Sequence, residues 1–232
     1  ESSREEGDSD ALETLPCILS WLGSNDWAER MRGLVALQDL VERHGELLVA
    51  RGKMRSIFDN LTPRLTDQHS KVNVAALQAL HQMVPRLREG LPSVIATVVP
   101  ALAASLASGN AQVRGCMPAL LDTLLAQMDN AALIPPLAHC TLYGNLKARP
   151  AMIDRLRTVS NHLYAARPQL VIKHAVPAAF RLLEENRPDT RVGTVLLLRT
   201  LHAAMGDTLL EHAMQTPLAT QQRLQEVISL PS

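Results

Sequence analysis

Aromatic residues are scarce in this 232-residue chain: two Trp, two Tyr and two Phe, 3% of the total. Leu and Ala fill the apolar positions instead. A β-sandwich or barrel would draw on Val, Ile, Tyr and Phe, so that class is excluded. Only 11 glycines and no Asn-Gly pair leave little room for β-hairpins. Net charge is missing too, with 23 Lys+Arg against 23 Asp+Glu. That balance gives no support for a nucleic-acid partner, and none is expected. Three scattered cysteines, Cys17, Cys116 and Cys140, cannot form a disulfide framework and point to a reducing compartment. Catalytic motifs are also absent. Gly45 and Gly52-Lys53 are spaced too widely for a phosphate loop, and Met54 stands where Ser or Thr would hold magnesium. His139-Cys140 has no second pair at zinc-ligand spacing. No enzyme, cofactor or metal site is expected.

What the chain does have is 47% apolar residues, enough to bury a core. Its first ten residues hold five acids, one base and no apolar side chain. They read as a disordered acidic lead-in over residues 1–10, and the opening Glu suggests a fragment of a longer protein. Without them the remainder carries 22 bases and 18 acids. The stretch from Leu91 to Val113 contains no charge over 23 positions. Pro92, Pro100 and the turn Ser108-Gly109-Asn110 interrupt it, so a buried helix followed by a turn is expected rather than a membrane span.

The sequence repeats. Gly33-Leu34-Val35-Ala36-Leu37-Gln38-Asp39-Leu40 matches the segment Asn73 to Leu80 at an offset of 40. Related runs begin at Val113 and Val192, and a degenerate one lies around Met152. A helical period near forty residues indicates HEAT or armadillo units. Each unit reads as two helices joined by a polar turn with Ser, Asp or Asn as N-cap. Those turns are Ser24-Asn25-Asp26, Thr66 to Ser70, Ser108-Gly109-Asn110, Asn145 to Ala148 and Asn186 to Asp189. Asp26 and Glu29 have the spacing of a capping box. The expected fold is an all-α solenoid of about six HEAT-like hairpins, over 11–48, 52–88, 91–128, 131–165, 168–206 and 207–230, in a single domain from 11 to 232. Stacking would align the intra-unit turns along one edge. There Trp27 is either packed or waiting for a partner. The bases Lys71, Arg114, Lys147, Arg149 and Arg191 would share that edge. A tryptophan with single, spaced bases suits an acidic protein partner better than a nucleic acid.

Asn25-Asp26-Trp27-Ala28-Glu29-Arg30-Met31-Arg32-Gly33-Leu34, followed by Thr66-Asp67-Gln68-His69-Ser70-Lys71-Val72-Asn73, resembles the first two turns of a TOG domain. Within that family the chain looks most like the crescerin (TOG array regulator of axonemal microtubules) and CLASP branch. The resemblance implies a non-catalytic module of a larger microtubule regulator that binds αβ-tubulin or the microtubule lattice through its turns. It further implies that Trp27, Lys71, Val72 and Arg114 face β-tubulin, and that Lys147, Arg149 and Arg191 reach toward α-tubulin. Two departures stand out: the third turn lacks the extra Lys common there, and Pro150 occupies an unusual place in the fourth. A monomer is expected for the isolated domain, in the cytoplasm and cytoskeleton, with a cilium or axoneme as a further address. The alternative is a HEAT-repeat scaffold for a different protein, with Trp27 purely structural.

Overall fold

A computed structural model describes residues 2–229, with side chains from residue 9 onward. Twelve α-helices occur among the described residues, and no strand. They are α1 (Ser2–Leu22), α2 (Trp27–Ala50), α3 (Met54–Leu61), α4 (Ser70–Leu87), α5 (Ile95–Leu106), α6 (Ala111–Gln127), α7 (Asn130–Tyr143), α8 (Arg149–Leu163), α9 (Pro168–Glu185), α10 (Arg191–Met205), α11 (Asp207–Ala213) and α12 (Leu218–Ser229). Short 3-10 turns extend α3 at Thr62–Thr66 and precede α5 at Leu91–Ser93. The fold is an α-solenoid of six HEAT-like hairpins, divided into two compact units that meet in sequence between Met128 and Asp129.

In the first unit the second helices of the hairpins, α2, α4 and α6, pack side by side. Gln38 bonds Gln82 and Glu42 bonds Arg86, a constant separation of 44 residues, so α2 and α4 run parallel. Leu34, Leu37, Val41 and Leu48 of α2 are buried, as are Ala76, Leu80, Met83 and Leu87 of α4. This is the i, i+3, i+4 stripe that a helix buries on one side. In the second unit α8, α10 and α12 make the corresponding row, with α7 and α9 behind them. Leu156, Val159, Leu197, Leu201 and Leu224 seal that core.

Helix α1 runs from Ser2, so it includes most of the acidic lead-in. Glu1 and the side chains of 2–8 lie outside the described residues. Among its described side chains, Ala11, Leu15, Ile18 and Leu22 are buried. Once those residues nucleate the helix against the core, each further turn costs only propagation. The uncharged stretch from Leu91 resolves into the 12-residue α5, a turn and α6, and no described helix is long and apolar enough to cross a membrane. Pro150 falls in the first turn of α8, where its missing N–H would have no intrahelical partner anyway.

Candidate functional site

The first and third turns share one construction. Ser24 Oγ accepts from the Asp26 amide at 3.1 Å, and Asp26 Oδ1 accepts from the Ala28 amide at 3.0 Å. In the third turn Ser108 Oγ accepts from Asn110 at 3.1 Å, and Asn110 Oδ1 accepts from Gln112 at 2.9 Å. Both turns are closed from the following helix. Arg30 donates to the Ser24 carbonyl at 2.9 Å, and Arg114 donates to the Ser108 carbonyl at 2.6 Å. The common pattern is Ser-x-Asp/Asn-x-x-x-Arg. Asp26 is thus an N-cap, but the capping box is incomplete: Ser24, not Glu29, takes the Asp26 amide. Ser24 is the nearer acceptor, two residues back in the same turn.

Arg30 also crosses to the second turn. Its Nε lies 3.0 Å from Asp67 Oδ2 and a terminal nitrogen donates to Asp67 Oδ1 at 3.1 Å. The Asp67 side chain is only 4% exposed and also takes Arg64 at 2.9 Å and the His69 amide at 2.9 Å. Asp67 is therefore the hub between two turns, a role larger than the cap its position suggests. The second and third turns are joined behind the edge, where the Leu65 carbonyl accepts from Asn73 and, at 2.6 Å, from Ser105 Oγ. The three turns of this unit consequently lie side by side.

Trp27 opens α2 and is 43% exposed. One face of its ring stacks on His69, with centroids 4.6 Å apart and planes within 3° of parallel. Lys71 Nζ stands 5.8 Å from the indole centroid, at the outer limit of a cation–π contact. The indole is neither sealed in the core nor free. Lys71 and Arg114 are exposed. Val72 corrects the expectation for the second turn: it is fully buried in α4 and offers a partner no side-chain surface. At the third position of a helix whose second residue, Lys71, faces solvent, the 100° turn carries Val72 inward.

In the second unit the fourth turn begins at Gly144, and Asn145 Oδ1 accepts from the Lys147 amide at 2.9 Å. Lys147 and Arg191 are exposed cations beside the fourth and fifth turns. Arg149, expected to reach outward, is turned inward with its side chain 11% exposed. It holds Glu185 at 2.8 Å and donates to the Leu142 carbonyl, which ties the fourth turn to the end of α9. Its guanidinium fork can serve both acceptors only by giving up the surface. Asp189 does not cap α10 by its side chain; the N-cap is Thr190, and Asp189 pairs with Arg187 at 3.1 Å. The hydrogen bond from Arg187 holds the Asp189 carboxyl below the usual carboxylate range, with help from the charges of Arg187 and Arg149. Leu146 and Val192 add exposed apolar surface near the two cations. Among the described residues no cluster of His, Cys, Asp and Glu could hold a metal ion.

Sequence reasoning missed Arg30, Asp67 and His69 as a linked set. A signal was present: the Ser-x-Asp/Asn-x-x-x-Arg pattern recurs 84 residues apart, about two repeat periods. The stack on His69 has no signature, because nothing in a sequence brings two rings 42 residues apart into register.

No family model matches the chain. It is 28% identical over 231 residues to the human TOG array regulator of axonemal microtubules protein 1, covering 95% of this chain and 13% of that protein. It is 28% identical over 160 residues to the CLIP-associating protein of Drosophila melanogaster, covering 67% of this chain and 10% of that protein. The chain therefore spans a small fraction of the curated relatives it matches. Among solved structures, a crescerin TOG domain superposes with a TM-score of 0.67 at 16% identity, over 88% of this chain and 85% of that one. The TOG domain of Caenorhabditis elegans Zyg9 gives 0.66 at 13% identity, over 91% and 79%. The fold is that of a TOG domain, and the sequence resembles the crescerin and CLASP branch.

Proposed function

We propose that this chain is a non-catalytic tubulin- or microtubule-binding module of a larger microtubule regulator. The observation that carries the reading is Trp27: a large apolar ring, 43% exposed at the edge of the first unit, held flat by His69 and flanked by Lys71. A pre-ordered aromatic anchor with nearby cations is the composition of a protein-binding hot spot for an acidic surface. Arg114, Lys147 and Arg191 are the further contact residues in this reading. Val72 and Arg149 act beneath them, as core and as a pin between turns. The relatives, named for axonemal microtubules and as a CLIP-associating protein, support a cytoskeletal address, and a cilium is the finer one proposed. The module works by binding one tubulin conformation better than another, without altering a bond.

The test is co-elution with αβ-tubulin on size exclusion and co-pelleting with microtubules. Trp27→Ala combined with Arg191→Ala is expected to abolish both while the far-ultraviolet circular dichroism stays unchanged. Undiminished binding by this folded double variant would reject the assignment of these surfaces.

A further inference from the structure

Trp27 does not hold its own position. The indole sits at the first residue of a helix, is 43% exposed, and has Lys71 Nζ 5.8 Å from its centroid. Its ordering comes from a closed circuit. Arg30 grips the carbonyls of Ser24 and Asn25, both at 2.9 Å, and so fixes the turn that delivers Trp27. The same guanidinium holds Asp67, and Asp67 takes the backbone amide of His69 at 2.9 Å. His69 then lays its ring against the indole at 4.6 Å. Its Nδ1 is buried and has no hydrogen-bond partner among the described residues, so no polar bond at that atom directs the ring. Side-chain immobilisation before contact removes part of the entropy cost of association.

We infer that His69 is a positioning residue for partner binding: it acts through the indole of Trp27, by its flat face, and the Arg30–Asp67 pair sets the distance between the two rings. The inference rests on the reading of Trp27 as the contact residue. The third turn shows what the circuit adds. It has the same serine, cap and arginine, but Ala111 stands where the first turn has Trp27. Turn closure is therefore common to both turns, and the ring stack belongs to the turn that presents an aromatic.

The test uses the whole chain with Trp21→Phe, so that Trp27 is the only indole. Time-resolved fluorescence anisotropy without any partner reads the freedom of that ring. His69→Ala is expected to enlarge the fast depolarisation and His69→Phe to restore the parent decay, with helicity equal in all three. In co-elution with αβ-tubulin, His69→Ala is expected to weaken binding about five-fold, the size of one aromatic pair. His69→Phe should recover it, and His69→Ala should cost nothing further in a Trp27→Ala background. An indole as immobile in His69→Ala as in the parent would overturn the inference, as would additive losses in the double variant. If Trp27→Ala leaves tubulin binding intact, the contact reading fails, and the anisotropy decay still decides the role of His69.

Discussion

Lys147 and Arg149 stand two positions apart at the fourth turn, and packing gives them different work. Lys147 ends in solvent, so Lys147→Ala is expected to change stability by less than about 0.5 kcal/mol. Arg149→Ala strips a partly buried carboxylate, Glu185, and the Leu142 carbonyl of their donor. A loss of about 3 kcal/mol is expected, read as a lower urea midpoint. Val72→Ala should cost about 2 kcal/mol through the cavity it leaves, and any fall in partner binding should follow the loss of fold. The thiols separate in the same way. Burial pushes the Cys140 thiol up and hides it, while Cys17 is exposed. Iodoacetamide is expected to label Cys17 in the native protein and Cys140 only after unfolding, as peptide mapping would show. None of these differences between like residues is visible in the sequence, because a side chain's direction depends on which helix lies beside it.

At the scale of elements, the helices were legible because their apolar residues recur at helical spacing and their turns carry Ser, Asp and Asn. Apart from the start of α1, at Ser2 rather than residue 11, the hairpin boundaries expected from those signals fall within a few residues of the observed ones. Close approaches were not legible. A Cβ on Gly33 would sit 2.9 Å from the Leu22 backbone nitrogen, which makes Gly33 the point where α2 meets the end of α1. Gly115 in α6 has open space around it. Opposite outcomes are expected: Gly33→Ala destabilises by about 1–2 kcal/mol despite better helix propensity, and Gly115→Ala stabilises by about 0.5–1 kcal/mol. Thermal melts of the two variants check the pair. The α2–α4 contact also has an acid-sensitive element. The hydrogen bond from Arg86 holds Glu42 below the ordinary carboxylate range. Its folded pKa lies under its unfolded one, so the bond's stabilisation is present above the unfolded value and is lost as pH falls through the folded value. Glu42→Gln is expected to flatten that part of the stability profile.

At the scale of the whole molecule, the formal charge of zero conceals cations at the turns. Partner binding that depends on Lys71, Arg114, Lys147 and Arg191 is expected to weaken steadily as salt rises from low to moderate ionic strength, measured by co-pelleting. A binding curve indifferent to salt would count against those four residues. The sequence by itself determined the class: a repeat near forty residues, a polar turn in each unit and few aromatics permit a helical-hairpin array and little else, because periodicity and turn chemistry act locally. Tertiary structure decided which turn residues face solvent. Val72 and Arg149 went inward, Trp27 stayed half outside, and His69 came to lie beneath it, since those outcomes depend on the packing of segments about forty residues apart and on the few acceptors that packing brings within reach.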